Sequence, residues 1–130
     1  MNRPATLAEV ARRVRSGAQP FDYALSEFLD AFYLAPERRQ EMILARPELL
    51  ADQTQDALLG AVGEHLARRW NLEIPAWSAE PQRFLKRPYF TTSLEGLKAL
   101  LLVESPIAFR RRLIFTEAEP LRRARMPRSA

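Results

Sequence analysis

Proline outnumbers glycine in this 130-residue chain by ten to four, and that imbalance narrows the folds open to it. Glycine supplies the positive φ angles of tight hairpin turns, whereas proline opens helices at their first turn and ends them from beyond the last. A chain punctuated this way is expected to be a series of short helices rather than a meander of strands.

The apolar spacing agrees. Thr6-Leu7-Ala8-Glu9 reads as a capping box, with Thr6 as N-cap and Glu9 reaching back. Leu7, Val10, Ala11 and Val14 follow at helical spacing and Gly17 is a natural stop, giving a helix over about 7–16. Pro20 opens a second helix with a stripe of Phe21, Leu25, Phe28, Leu29, Phe32 and Tyr33; Asp22, Glu27 and Asp30 sit largely off that stripe. Pro36 suits the first turn of a third, carrying Met42, Ile43, Leu49 and Leu50, which Pro47 should end or kink. Asp52 or Thr54 can cap a fourth over about 55–71, where Leu58, Leu59, Val62, Leu66 and Trp70 recur every three or four residues. Its last turn holds Arg68 and Arg69, favourable against the helix dipole.

Beyond it the pattern breaks. Residues 72–92 read as a proline- and aromatic-rich connection, with a docked Trp77, a short helix from Pro81 to Lys86, and an extended Arg87-Pro88-Tyr89-Phe90. Thr92-Ser93-Leu94-Glu95 is a second capping box, starting a helix over Leu97, Leu100, Leu101 and Val103. Pro106 starts another, with Ile107, Ala108, Leu113 and Ile114 as its apolar residues. The expected fold is all-α: a single compact bundle of six or seven short helices over 1–120, followed by a basic, mobile tail over 121–130.

Composition limits the function. There is no cysteine, which excludes disulfides and thiolate metal sites. No long apolar run and no signal-peptide pattern occurs, so a soluble, cytoplasmic protein with no membrane partner is expected. The Arg-, Ala- and Leu-rich usage is that of a GC-rich bacterial genome. The net charge of +4 is uneven. Residues 1–15 carry +3, residues 16–100 carry −3 and residues 101–130 carry +4. Basic ends around an acidic middle fit either internal pairing or an acidic partner.

Catalytic constellations are not evident. His65 is the only histidine, too few for an imidazole metal site, and reads as a helix-surface or half-buried side chain. Asp22, Glu27, Asp30, Glu37 and Glu41 lack the Glu-x-x-His pattern of helical di-metal sites and read as a solvated acidic face. Trp70, Trp77, Phe84, Tyr89 and Phe90, interleaved with Arg83, Lys86 and Arg87, can stack bases or pin the connection to the core, and pinning is the commoner role. Gly60 and Gly63 inside the fourth helix indicate close packing against it. No cofactor is expected, and the chain reads as a binding protein rather than an enzyme.

Arg110, Arg111 and Arg112 stand out, three guanidiniums between Phe109 and Leu113. On a helix they spread over roughly 200° of its surface, so one can turn inward while two face out. Arginine binds carboxylate or phosphate through a planar fork. Three readings stay open: pairing with the acidic middle of the same chain, a surface for an acidic protein partner, and contact with nucleic-acid phosphate. Arg122 and Arg123 extend the basic C-terminal third, and all five are the candidate partner-binding residues.

Val103-Glu104-Ser105-Pro106, followed by Phe109-Arg110-Arg111-Arg112 and Ile114-Phe115, resembles the C-terminus of a group of small bacterial helical proteins. Phe21-Asp22-Tyr23-Ala24-Leu25 with Phe28-Leu29, and the stretch from Leu66-Ala67 to Pro75-Ala76-Trp77, extend the resemblance over most of the chain. Many members carry Asn or Gly after the arginine triplet, where this chain has Leu113. The group is associated with toxin–antitoxin gene pairs beside a nucleotidyltransferase-like partner. The resemblance thus implies an antitoxin-like, non-catalytic subunit. The alternative is a DNA-binding regulator, with the link Ala51-Asp52-Gln53 serving as the turn of a helix-turn-helix.

Overall fold

The computed structural model describes residues 2–92 and 95–126, without the side chain of Glu95. The protein is all-α: among these residues it forms six α-helices, three short 3₁₀ turns and one two-stranded sheet. It divides into two compact units, Met1–Leu50 with Leu121–Ala130, and Ala51–Pro120.

In the first unit α1 spans Leu7–Arg15, α2 Phe21–Tyr33 and α3 Arg39–Leu44, the last entered through a 3₁₀ turn at Pro36–Arg38. Thr6 Oγ1 accepts from the Glu9 amide at 3.0 Å, as the capping box requires, but the Glu9 carboxylate turns forward to Arg12 and Arg13. Gly17 leaves α1 at φ +80, an angle that costs glycine little. The core joins Leu7, Val10 and Ala11 to Phe21, Phe28, Phe32, Met42 and Ile43. α2 ends against Arg39, which is buried and donates to the carbonyls of Phe32 and Tyr33 at 3.1 and 3.2 Å. Those two carbonyls belong to the last turn, where a cation is favoured.

Chain from the far end completes this unit. Leu121 is buried, and its carbonyl accepts from the Tyr33 hydroxyl at 2.8 Å. Asp30, expected on a solvated face, is also buried and receives both arms of Arg123 at 3.0 Å. The expected tail therefore has ordered contacts at its start; residues 127–130 lie outside the described residues.

In the second unit α4 spans Gln53–Arg69, and Asp52 is its cap, accepting from the Gln55 amide at 3.0 Å. α3 stops at Leu44, short of Pro47, so residues 45–52 separate α3 from α4. The link is thus much longer than the three- or four-residue turn of a helix-turn-helix. The aromatic connection forms 3₁₀ turns at Ala76–Ala79 and Pro81–Arg83; the second ends at Arg83 rather than running to Lys86. Strand β1, Tyr89–Phe90, pairs in parallel with β2, Ile114–Phe115. Between them lie α5, Glu95–Glu104, and α6, Ile107–Arg110. The second capping box falls on Ser93 and Leu94, outside the described residues.

Leu113 and Ile114 were expected on the last helix, yet α6 ends at Arg110 and Ile114 is in a strand. The break lies at Leu113, whose φ is +62. A leucine in the left-handed region is strained, because its Cβ crowds the following carbonyl, whereas Asn and Gly enter it readily. Leu113→Asn is therefore expected to stabilise the protein by about 1 kcal/mol, read as a higher urea midpoint at unchanged slope. A lower midpoint would show that the leucine's packing outweighs the strain.

Candidate functional site

One face of α4 explains the arginines. Asp56, Gly60, Gly63, Glu64 and Ala67 recur at helical spacing and form a stripe of small and acidic side chains, all buried. A Cβ on Gly60 would lie 2.7 Å from Arg83 Cβ and 3.0 Å from Arg112 Nε, and one on Gly63 would lie 2.9 Å from the Trp77 ring. The two glycines thus make the close packing anticipated for them. They form a trough for one tryptophan and two arginines.

Arg112 is 1% exposed. Its guanidinium donates to Glu64 Oε1 at 2.7 Å, to the Ala108 carbonyl at 2.7 Å and to the Ser78 carbonyl at 2.8 Å. Phe84 lies beneath it, 4.5 Å from ring centre to guanidinium carbon. Glu64, also 1% exposed, takes in addition Arg111 at 2.8 Å and Arg68 at 2.7 Å. Burial pushes the Glu64 carboxyl up, but hydrogen bonds from Arg112, Arg68 and Arg111 outweigh it and hold the group below its ordinary value. Arg83, fully buried, lies 3.2 Å from Glu80 and 3.7 Å from Asp56, with its guanidinium over Trp77.

The five arginines singled out as partner-binding therefore part company. Arg112 is interior and cannot meet a partner, and Arg111, though exposed, is bound to Glu64. Arg123 is bound to Asp30. Arg110 and Arg122 are exposed, and among the described residues neither guanidinium has an ion pair or hydrogen bond. Arg83, which interleaves with the aromatics of the connection in the sequence, is a core residue. What marks it in the sequence is its partner surface, the small-and-acidic stripe on α4.

The aromatics pin the connection. Trp77 is buried against Gly63, Phe84 underlies Arg112, and Phe90 stacks on Phe115 at 5.1 Å. His65 stands edge-on to Phe109 at 5.6 Å, and burial lowers its pKa. No group of three metal-ligating side chains occurs among the described residues. A cleft of about 420 Å³ opens beside Gln53, Asp56, Gln82, Phe84 and Lys86. Its one buried carboxylate, Asp56, is engaged by Arg83.

The feature that sequence reasoning missed is apolar. α5 reads Glu-Gly-Leu-Lys-Ala-Leu-Leu-Leu-Val-Glu, and of its apolar side chains only Leu101 is buried. Leu97, Leu100 and Leu102 are about half exposed, Val103 is 76% exposed, and Ile107 on α6 is 51% exposed. At 3.6 residues per turn, Ala99, Val103, Gly96 and Leu100 share an uninterrupted apolar arc of roughly 100°, and Glu104 lies between Leu100 and Leu97. Covering the five large side chains is worth on the order of 5 kcal/mol before association costs. The sequence spacing placed Leu97, Leu100, Leu101 and Val103 on a helix without saying which are covered, and of these only Leu101 is buried. No helix among the described residues is long and apolar enough to cross a membrane.

Two consequences concern stability. Gly60→Ala is expected to destabilise by about 1–3 kcal/mol, while Gly96→Ala, where an added Cβ meets nothing within 4 Å, is expected to be neutral or stabilising; chemical denaturation separates them. Removing one partner of a buried ion pair costs about 3–5 kcal/mol, so Arg112→Ala is expected to lower stability by that much and Arg110→Ala to leave it unchanged. The Glu64 contribution has a sign. Its folded pKa is depressed, so its stabilisation is complete above the ordinary glutamate value of about 4.3 and disappears as pH falls through the lower folded value. Glu64→Gln is expected to be less stable at neutral pH and to show a flatter acid limb in a pH series of thermal melts.

No protein-family model, curated protein or solved structure matches the chain.

Proposed function

We propose that this chain is a non-enzymatic, antitoxin-like protein-binding subunit of a bacterial two-gene module, whose partner presents an acidic surface. The uncovered apolar arc of α5 supports that reading most directly. Exposed large apolar side chains gathered on one short helix are usual at interaction sites. The buried side chains leave little for chemistry: the ionisable groups gathered on α4 are bound to one another, with Glu64 taking three guanidiniums. Exposed Arg110 and Arg122 supply uncommitted positive charge for carboxylates.

The test is reconstitution with the product of the neighbouring open reading frame. Mixed and passed through size exclusion with light scattering, the two are expected to elute together at a fixed ratio, well above the 15.0 kDa of this chain. In cells, this chain is expected to relieve growth arrest caused by the neighbour. Separate elution with no relief of arrest would remove the reading. Binding to duplex DNA with a steep salt dependence would favour the regulator alternative instead.

A further inference from the structure

We infer that Leu121–Met126 is an exchangeable arm, which the first unit takes from its own chain here and from a second copy when two chains meet. The arm is held as a peptide ligand is held. It contains no helix or strand, and the whole second unit separates it in sequence from the helices it completes. Leu121 is buried as an apolar anchor, and the Tyr33 hydroxyl donates to its backbone carbonyl at 2.8 Å. Asp30 receives both arms of the Arg123 guanidinium at 3.0 Å. An anchor, a main-chain contact and a bidentate guanidinium are the means by which one chain recognises another. Both receiving polar groups lie on α2.

The site needs an occupant. Asp30 is 4% exposed, and among the described residues its ion pairs and hydrogen bonds come only from Arg123 and, at 3.7 Å, from Arg125. A carboxylate buried there without a cation is strongly unfavourable, so an arm that leaves has to be replaced by one of the same shape and charge. The pattern that fits is Leu-x-Arg-x-Arg, and every copy of the chain carries it.

The approach to the site suits exchange. Thr116 is fixed in the second unit by Ser105, whose hydroxyl donates to its carbonyl at 3.1 Å and accepts from its amide at 2.9 Å. Only Glu117-Ala118-Glu119-Pro120 lies between that point and Leu121, without helix or strand. Short hinges of this kind favour swapping of the element beyond them. The contacts inside each site are the same in the closed and the exchanged form. The two differ at the link and in the effective concentration of the arm, which is of roughly millimolar order for a short connection.

Reversing the charges of site and arm on separate full-length chains tests this. Asp30→Lys spoils the site and keeps the arm, whereas Arg123→Glu keeps the site and spoils the arm. In an exchanged dimer of the two, each site meets an arm of opposite charge. By size exclusion with light scattering, each variant alone is expected at 15.0 kDa and the equimolar mixture at twice that mass. The mixed dimer is expected at a concentration at least about tenfold below that at which the unchanged chain dimerises. If either variant melts early by itself, its recovery on mixing reads out the same exchange. Leu121→Asp in both variants removes the anchor and is expected to abolish the mixed dimer. A mixture with neither added mass nor recovered melting, or a mixed dimer that survives Leu121→Asp, would overturn the inference. The neighbouring gene product plays no part in this test, so the protein-binding reading stands or falls separately.

Discussion

A single buried carboxylate organises the second unit. Glu64 sits on α4 with almost no solvent and gathers Arg68, Arg111 and Arg112 around it. Charges of either sign left alone in such a place would cost several kcal/mol each, so the arrangement holds only because each is answered. Arg112 goes further, tying α4 to the Ser78 turn and to the Ala108 carbonyl of α6. An all-apolar trough of the same volume could be as stable or more so. What the guanidinium adds is direction: its donors fix three segments at set angles around Gly60, which greasy contact alone does not.

How much of this was legible follows residue by residue. Thr6 and Asp52 announced their helices because a cap is a local device, decided by a few neighbouring atoms. Gly60 and Gly63 announced close packing, since glycine at one spacing on a helix has few other uses. Glu64 was hidden, because nothing local distinguishes an acid aimed inward from one aimed at water. The triplet Arg110–Arg112 showed that one arginine could turn in, and pairing within the chain was one of its readings, but the acid that receives it lies 48 positions away. Asp30 and Arg123, 93 positions apart, were illegible for the same reason.

The misplacement of Leu113 and Ile114 has a different origin. Periodicity sees side chains and not φ angles, so the left-handed residue that ends the helix and begins β2 left no mark in the apolar pattern. The reverse case is α5. There the spacing rightly gave a helix and was silent on whether its apolar residues are covered. Hydrophobic pattern tells which residues need shelter. It does not say that the same chain provides it.

The small sheet accounts for that shortage. Parallel strands must be joined by a crossover, and the crossover helix ordinarily lies back on the sheet it bridges. Here β1 and β2 contribute two residues each, a platform about 7 Å long. The ten residues of α5 extend about 15 Å. Ser105 fastens one end, donating to the Leu101 carbonyl and accepting from the Thr116 amide at 2.9 Å. The helix is thus longer than its floor, fastened beyond its last turn by Ser105 and held nearer its start by Lys98 over the Phe90 ring.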